Sequence, residues 1–162
     1  QEDVIDLRPD VLSVFVGTND AERHLGRLLR ADDPKTVPDF DFADWERTYR
    51  GLLDQARQAN PALKIVLCTP FAAPCGKIVE GALGEYYPLR QRILAQCCVI
   101  VERIAADYGA TLVPFHRLIA DLETRLPNGD ATYWVWDGIH PTPEGHKLIW
   151  DAVSHLMAGA QA

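Results

Sequence analysis

Three short runs of the chain are apolar at almost every position: Val11-Leu12-Ser13-Val14-Phe15-Val16, Lys64-Ile65-Val66-Leu67-Cys68 and Thr111-Leu112-Val113-Pro114-Phe115. A run without polar alternation suits a strand covered on both faces, the usual state of a strand inside a parallel sheet. Elsewhere apolar residues recur at the three- and four-residue spacing of a helix. From about Asp41 to Ala59 that stripe is Trp45, Tyr49, Leu52, Leu53 and Ala56. From Tyr87 to Tyr108 it is Ile93, Leu94, Cys97, Ile100, Val101 and Ile104, with Gly109 placed to end the helix. A shorter helix is predicted from His116 to Leu126, closed by Pro127-Asn128-Gly129. The last takes Thr142 as N-cap and Pro143 at its first position, with Leu148, Ile149, Ala152, Val153 and Leu156 as its apolar face.

Strands alternating with helices predict an α/β fold with a parallel sheet. No repeat, low-complexity tract or linker divides the 162 residues, so one domain is expected. One connection stands apart. Residues 21–40 are polar and charged with no clear strand, and they read as a long loop of the kind that is functional or mobile.

Composition narrows the field. Hydrophobic residues at 48% and charged residues at 24% are ordinary globular values, which argues against disorder. No apolar run is long enough to cross a bilayer, so no membrane partner is expected. A formal charge of -7 disfavours a nucleic-acid backbone as partner and is compatible with a small neutral substrate. Cys68, Cys75, Cys97 and Cys98 form no Cys-x-x-Cys pair and do not interleave with histidines at zinc spacing, so buried thiols are expected and a Cys68–Cys75 disulfide is not indicated. No cofactor pattern is present. No signal peptide is in view, which slightly favours the cytoplasm, but the chain starts at Gln1 without a methionine and is therefore silent on targeting.

The candidate chemistry lies in two loops. In Trp136-Asp137-Gly138-Ile139-His140-Pro141-Thr142-Pro143, glycine and two prolines shape the backbone, and Asp137 stands three residues before His140. Such a loop can direct both side chains to one place, the carboxylate holding one ring nitrogen so that the other acts as a general base. At the carboxyl end of the first strand, where ligands of open α/β sheets bind, comes Gly17-Thr18-Asn19-Asp20. Asn19 there is either an amide donor for a developing oxyanion or part of a Gly-Asn-Asp turn that ends the strand. Asp39, Asp41 and Asp44 sit where a helix N-terminus attracts acids.

Taken together, Gly17-Thr18-Asn19-Asp20 after a first strand and Asp137-Gly138-Ile139-His140-Pro141 before a final helix resemble the SGNH (GDSL) hydrolases. Arg8-Pro9-Asp10-Val11 leading into the strand and the run to Gly145-His146 fit as well, and the resemblance spans Leu7 to Leu156. It implies a flavodoxin-like three-layer sandwich with a five-stranded parallel sheet, in which the first apolar run is the third strand, flanked by the first and fourth. It implies that Asn19, with Gly17, serves an oxyanion hole, and that Asp137 and His140 activate a serine. It further implies an esterase acting on small or carbohydrate esters, most like bacterial acetylesterases of xylan-type substrates, with no cofactor.

The family's Gly-Asp-Ser and following glycine blocks do not occur here. The chain has two serines, Ser13 in a strand expected to be buried and Ser154 in the last helix, and neither is a credible nucleophile. Thr18 and Cys75 are weak substitutes, since a nucleophile must reach its base within hydrogen-bond distance. The expectation is a serine, with the first strands, upstream of residue 1. Without its neighbour the first apolar run becomes a hydrophobic edge strand, so the chain alone is expected to be inactive and to self-associate, which is compatible with a homo-oligomer. Trp134 and Trp136, beside Asp137, are candidate sugar-stacking residues, with core packing as their other use. His24, His116 and His155 read as surface or capping residues. Two other readings stand: an inactive glycan-binding relative or remnant, and a metal-dependent hydrolase using Asp137, His140 and His146.

Overall fold

The computed structural model describes residues 4–124 and 131–159. The three apolar runs form β1 (Val11–Phe15), β2 (Lys64–Cys68) and β3 (Thr111–Val113). They pair in parallel in the order β1-β2-β3, with Val14 beside Leu67 and Cys68 beside Val113. The third run is shorter than its apolar stretch suggested, because Phe115 already starts a helix. Six helices surround the sheet: α1 (Thr18–Arg30), α2 (Phe42–Ala59), α3 (Gly81–Glu85), α4 (Tyr87–Tyr108), α5 (Phe115–Thr124) and α6 (Pro143–Gly159). The predicted Pro127-Asn128-Gly129 stop and the Leu156 side chain lie outside the described residues.

Alternate strand residues feed two cores. Val14, Ile65 and Leu67 pack with Tyr49, Leu53 and Ala56 of α2 and Ile100, Val101 and Ile104 of α4. Val66, Cys68 and Val113 pack on the opposite face with Phe115 and Ile119 of α5, and Leu148, Ile149 and Val153 of α6 complete that layer. The result is a helix–sheet–helix sandwich. Each fully buried aliphatic side chain contributes about 1.5–3 kcal/mol. Leu52, included in the α2 stripe, is exposed. Gly109 ends α4 as predicted. All four cysteines are buried thiols outside any disulfide, and burial pushes Cys97 and Cys98 up to about 12. Among the described residues no helix is long and apolar enough to cross a membrane.

Three expectations fail. Residues 21–40 are not a structureless loop: α1 occupies the first half of the stretch, to Arg30, and buries Ala21, His24, Leu25 and Leu28, a helical face. His24, expected at the surface, is buried edge-on against Phe40, and burial lowers its pKa. Nor is β1 covered on both faces. Val14 is buried, but Val11 is 45% and Phe15 46% exposed, and Ser13 between them is exposed rather than buried. β2 is the one neighbour of β1 among the described residues, so its outer edge is unpaired. On that face Phe15 meets Phe71 and, edge-on at 5.1 Å, Phe115 at the start of α5, yet it stays half exposed.

Candidate active site

The chain leaves β1 at Gly17, whose φ of 122° is one that L side chains rarely adopt. A Cβ there would also lie 2.8 Å from Pro70 Cγ, so both conformation and space require glycine. Gly17 caps α1 without a side-chain bond, and Asn19 falls in the first helical turn. Asn19 is exposed, and its amide has no hydrogen-bond partner among the described residues. The Thr18 hydroxyl donates to the Phe71 carbonyl at 3.1 Å.

The second loop is tightly specified. Val135 and Pro141 form an antiparallel bridge, and Trp136 N–H donates to the His140 carbonyl at 3.1 Å. Gly138 takes φ 91° at the turn, and a Cβ there would lie 2.4 Å from Ile78 Cδ1. The Thr142 hydroxyl accepts from Gly145 N–H at 3.1 Å, the predicted N-cap, and donates to the Tyr133 carbonyl at 2.7 Å.

Within this loop the Asp137 carboxylate accepts three hydrogen bonds. Its Oδ1 takes the backbone N–H of Ile139 at 3.0 Å and of His140 at 2.8 Å. Its Oδ2 stands 2.8 Å from His140 Nδ1. Burial alone would raise the Asp137 pKa, but the backbone and ring bonds of His140 and the Ile139 N–H outweigh it and hold the carboxyl below its ordinary value. An ionised carboxylate at Nδ1 fixes the tautomer with the proton on Nδ1, and Nε2 is left as the acceptor. The His140 side chain is 66% exposed and has no partner on Nε2 among the described residues. The Trp136 indole lies nearly parallel to the imidazole, 5.9 Å away and 24° inclined.

The tryptophans differ in setting. Trp136 is 57% exposed, whereas Trp134 is half-buried against the core between α5 and α6, with Tyr133 edge-on to it. Of the substitute nucleophiles, Thr18 is committed to Phe71, and the Cys75 thiol is buried and donates to the Val135 carbonyl at 2.9 Å. Ser13 Oγ faces Cys68 Sγ at 3.8 Å, and Ser154 lies along α6. Among the described residues no three His, Cys, Asp or Glu side chains converge to hold a metal ion, so Asp137, His140 and His146 do not form a donor set. The acids before α2 act at its end: Asp41 caps the helix, accepting from Asp44 N–H at 2.8 Å.

The two motifs are joined by a segment that sequence reading passed over, the loop after β2. Pro70 packs on Gly17, the Phe71 carbonyl accepts from Thr18, and Ala73 N–H donates to the Gly138 carbonyl at 2.8 Å. Its signal was its place: Thr69-Pro70-Phe71-Ala72-Ala73-Pro74 follows a strand at the carboxyl edge of the sheet.

The model of the GDSL-like lipase/acylhydrolase family matches residues 1–148. The chain is 30% identical over 152 residues to an acetylxylan esterase of Geobacillus stearothermophilus, covering 92% of this chain and 59% of that protein. It is 27% identical over 160 residues to an acetylxylan esterase of Xylanibacter ruminicola, covering 94% of this chain and 29% of that protein. It therefore spans less than two thirds of these relatives. A solved catalytic mutant of the Geobacillus esterase, with a serine replaced by alanine, superposes with a TM-score of 0.70 at 26% identity, over 96% of this chain and 62% of that one. Catalytic mutants of the same esterase replace an aspartate and a histidine three positions after it.

Proposed function

We propose, from the premise that the chain belongs to the GDSL-like lipase/acylhydrolase family, that the protein hydrolyses acetyl esters of carbohydrate by acyl transfer through a serine. The observation that carries this reading is the Asp137–His140 pair, an exposed imidazole held through Nδ1 with no partner on Nε2 among the described residues. Its three-residue spacing is also that of the aspartate and histidine replaced in catalytic mutants of the Geobacillus esterase.

In the proposed reaction the serine Oγ attacks the acetyl carbonyl carbon while His140 Nε2 takes the hydroxyl proton. Asp137 stabilises the imidazolium and keeps the ring in place. The Asn19 amide, with the backbone at Gly17, donates to the oxyanion of the tetrahedral intermediate. Collapse breaks the bond to the sugar oxygen, which leaves with the proton from His140. Water then attacks the acetyl-serine with His140 again as base, and acetate and free serine result.

The serine is assigned to chain outside the 162 residues, lying along β1. The open edge of β1 and the exposed Val11, Ser13 and Phe15 support this, as does the chain's 59% share of its relative. A strand–helix–strand unit of about 40–60 residues would cover that face. The reading is tested by replacing His140 with alanine in the intact protein and assaying an aryl acetate. Loss on the order of 10^4-fold or more supports it, and activity within about tenfold of wild type contradicts it. That no serine stands beside His140 among the described residues favours a second reading, an inactive glycan binder. Saturable binding of acetylated oligosaccharide by an intact protein without turnover would select that one.

A further inference from the structure

α4 holds the loop after β2 at three carbonyls. Cys98 Sγ–H donates to Pro70 at 3.2 Å, Gln91 Nε2 to Ala72 at 2.8 Å and Arg90 Nη1 to Ile78 at 2.9 Å. Arg90 does more. Its Nε and Nη2 fork onto both carboxylate oxygens of Glu22, at 2.5 and 3.1 Å. The Arg90 side chain is 0% exposed. Glu22 lies one helical turn after Asn19 on α1, and Ile78 is the residue whose side chain fills the space beside Gly138.

We propose that Arg90 is a positioning residue for the reaction, setting the oxyanion amide of Asn19 and the base His140 at a fixed separation by tying Glu22 to the Ile78 carbonyl. The inference rests on the esterase reading above. Its warrant is energetic as well as geometric. The Glu22 side chain keeps 25% exposure, but taking the guanidinium wholly out of water offsets most of the pair's attraction, so the pair adds little stability over an apolar one of the same volume. What it supplies is direction. A planar guanidinium with three donors in use fixes three elements relative to one another, and a misplacement of about 1 Å in a catalytic constellation can cost about 100-fold in rate. Lysine at the same place is a point donor that cannot fork onto Glu22 and reach Ile78 together.

The test uses the intact protein with Arg90→Lys and Glu22→Gln, and Arg90→Gln as the more severe change. Kinetics on an aryl acetate are taken at temperatures where circular dichroism shows each variant fully folded. The expected result is kcat lowered by about 10- to 100-fold with KM within about twofold, because alignment is lost and ground-state binding is not. Arg90→Lys combined with Asn19→Ala is expected to lose clearly less than the product of the two single losses, since part of the Arg90 effect passes through the Asn19 amide. A kcat per folded molecule within about threefold of wild type in Arg90→Lys and Glu22→Gln overturns the proposal, as do losses that multiply in the double variant. Should Arg90→Gln fail to fold, the two milder variants decide. Should the wild type hydrolyse no ester, the functional reading fails, and positioning is then judged by NMR of Arg90→Lys. Shifts of both the Asn19 side-chain amide and the His140 ring support it, and unchanged signals overturn it.

Discussion

Asp137 holds His140 at two points, its Oδ1 on the backbone N–H and its Oδ2 on ring Nδ1, both at 2.8 Å. The first bond shapes the turn and the second sets the tautomer, so one carboxylate couples the fold of the loop to the state of the imidazole. Asp137→Asn in the intact protein keeps a backbone acceptor but offers the ring an amide. Ester hydrolysis is expected to fall by about 10^4-fold with little change in KM. Steady-state kinetics check it, and a change confined to KM would show that the pair only binds.

Asn19→Ala is expected to lower kcat by about 10^2- to 10^3-fold and leave KM nearly unchanged, because an oxyanion donor acts on the transition state. A raised KM with unchanged kcat would make Asn19 a binding residue instead.

The same carboxylate gives stability a pH dependence. The folded pKa of Asp137 is below its ordinary value of 3.8, so the group contributes stability that is fully present above that value. The contribution is lost as pH falls through the lower, folded value. Asp137→Asn is therefore expected to be less stable than wild type at neutral pH, with the gap narrowing in acid below about pH 4. Urea unfolding across that range checks it, and a gap that widens in acid would contradict the assignment.

The two tryptophans are expected to separate by readout. Trp134→Ala removes half-buried volume from the core and should cost about 3 kcal/mol, or about 10 °C in Tm. Trp136→Ala, at an exposed ring stacked on His140, should change stability by less than about 0.5 kcal/mol yet weaken use of acetylated oligosaccharide more than of an aryl acetate. Calorimetry and paired assays distinguish them, and equal losses on both substrates would remove Trp136 from the sugar side of the site.

The open edge of β1 makes a prediction for the 162-residue chain alone. Unpaired strand groups beside Val11 and Phe15 invite edge-to-edge pairing, so the isolated chain should associate, and Phe15→Lys should return it toward monomer mass. Light scattering after size exclusion measures this, and a monomeric, soluble wild-type chain would contradict it.

The sheet and the long helices were legible because their patterns are strong: unbroken apolar runs, and in α4 a stripe from Ile93 to Ile104 closed by Gly109. α1 was not, for reasons visible in its residues. Its start is a glycine with no capping side chain, Gly26 interrupts its middle, and its outer face carries Arg23, Arg27 and Arg30, leaving only Ala21, His24, Leu25 and Leu28 as a thin buried stripe. The exposure of β1 was hidden because an apolar run does not reveal which neighbours are present to cover it. The Asp137–His140 pair was readable from local spacing alone, while the Arg90–Glu22 tie, 68 residues apart in sequence, exists only once α1 packs on α4.

His140 is proposed to serve a serine lying outside residues 1–162. Reaction of the intact protein with an aryl phosphonate, followed by peptide mass mapping, tests it most directly. The account predicts one phosphonylated serine in a segment outside these residues, and loss of that adduct in His140→Ala. An adduct on Thr18, Cys75, Ser13 or Ser154, or an active esterase that takes no label, would contradict it.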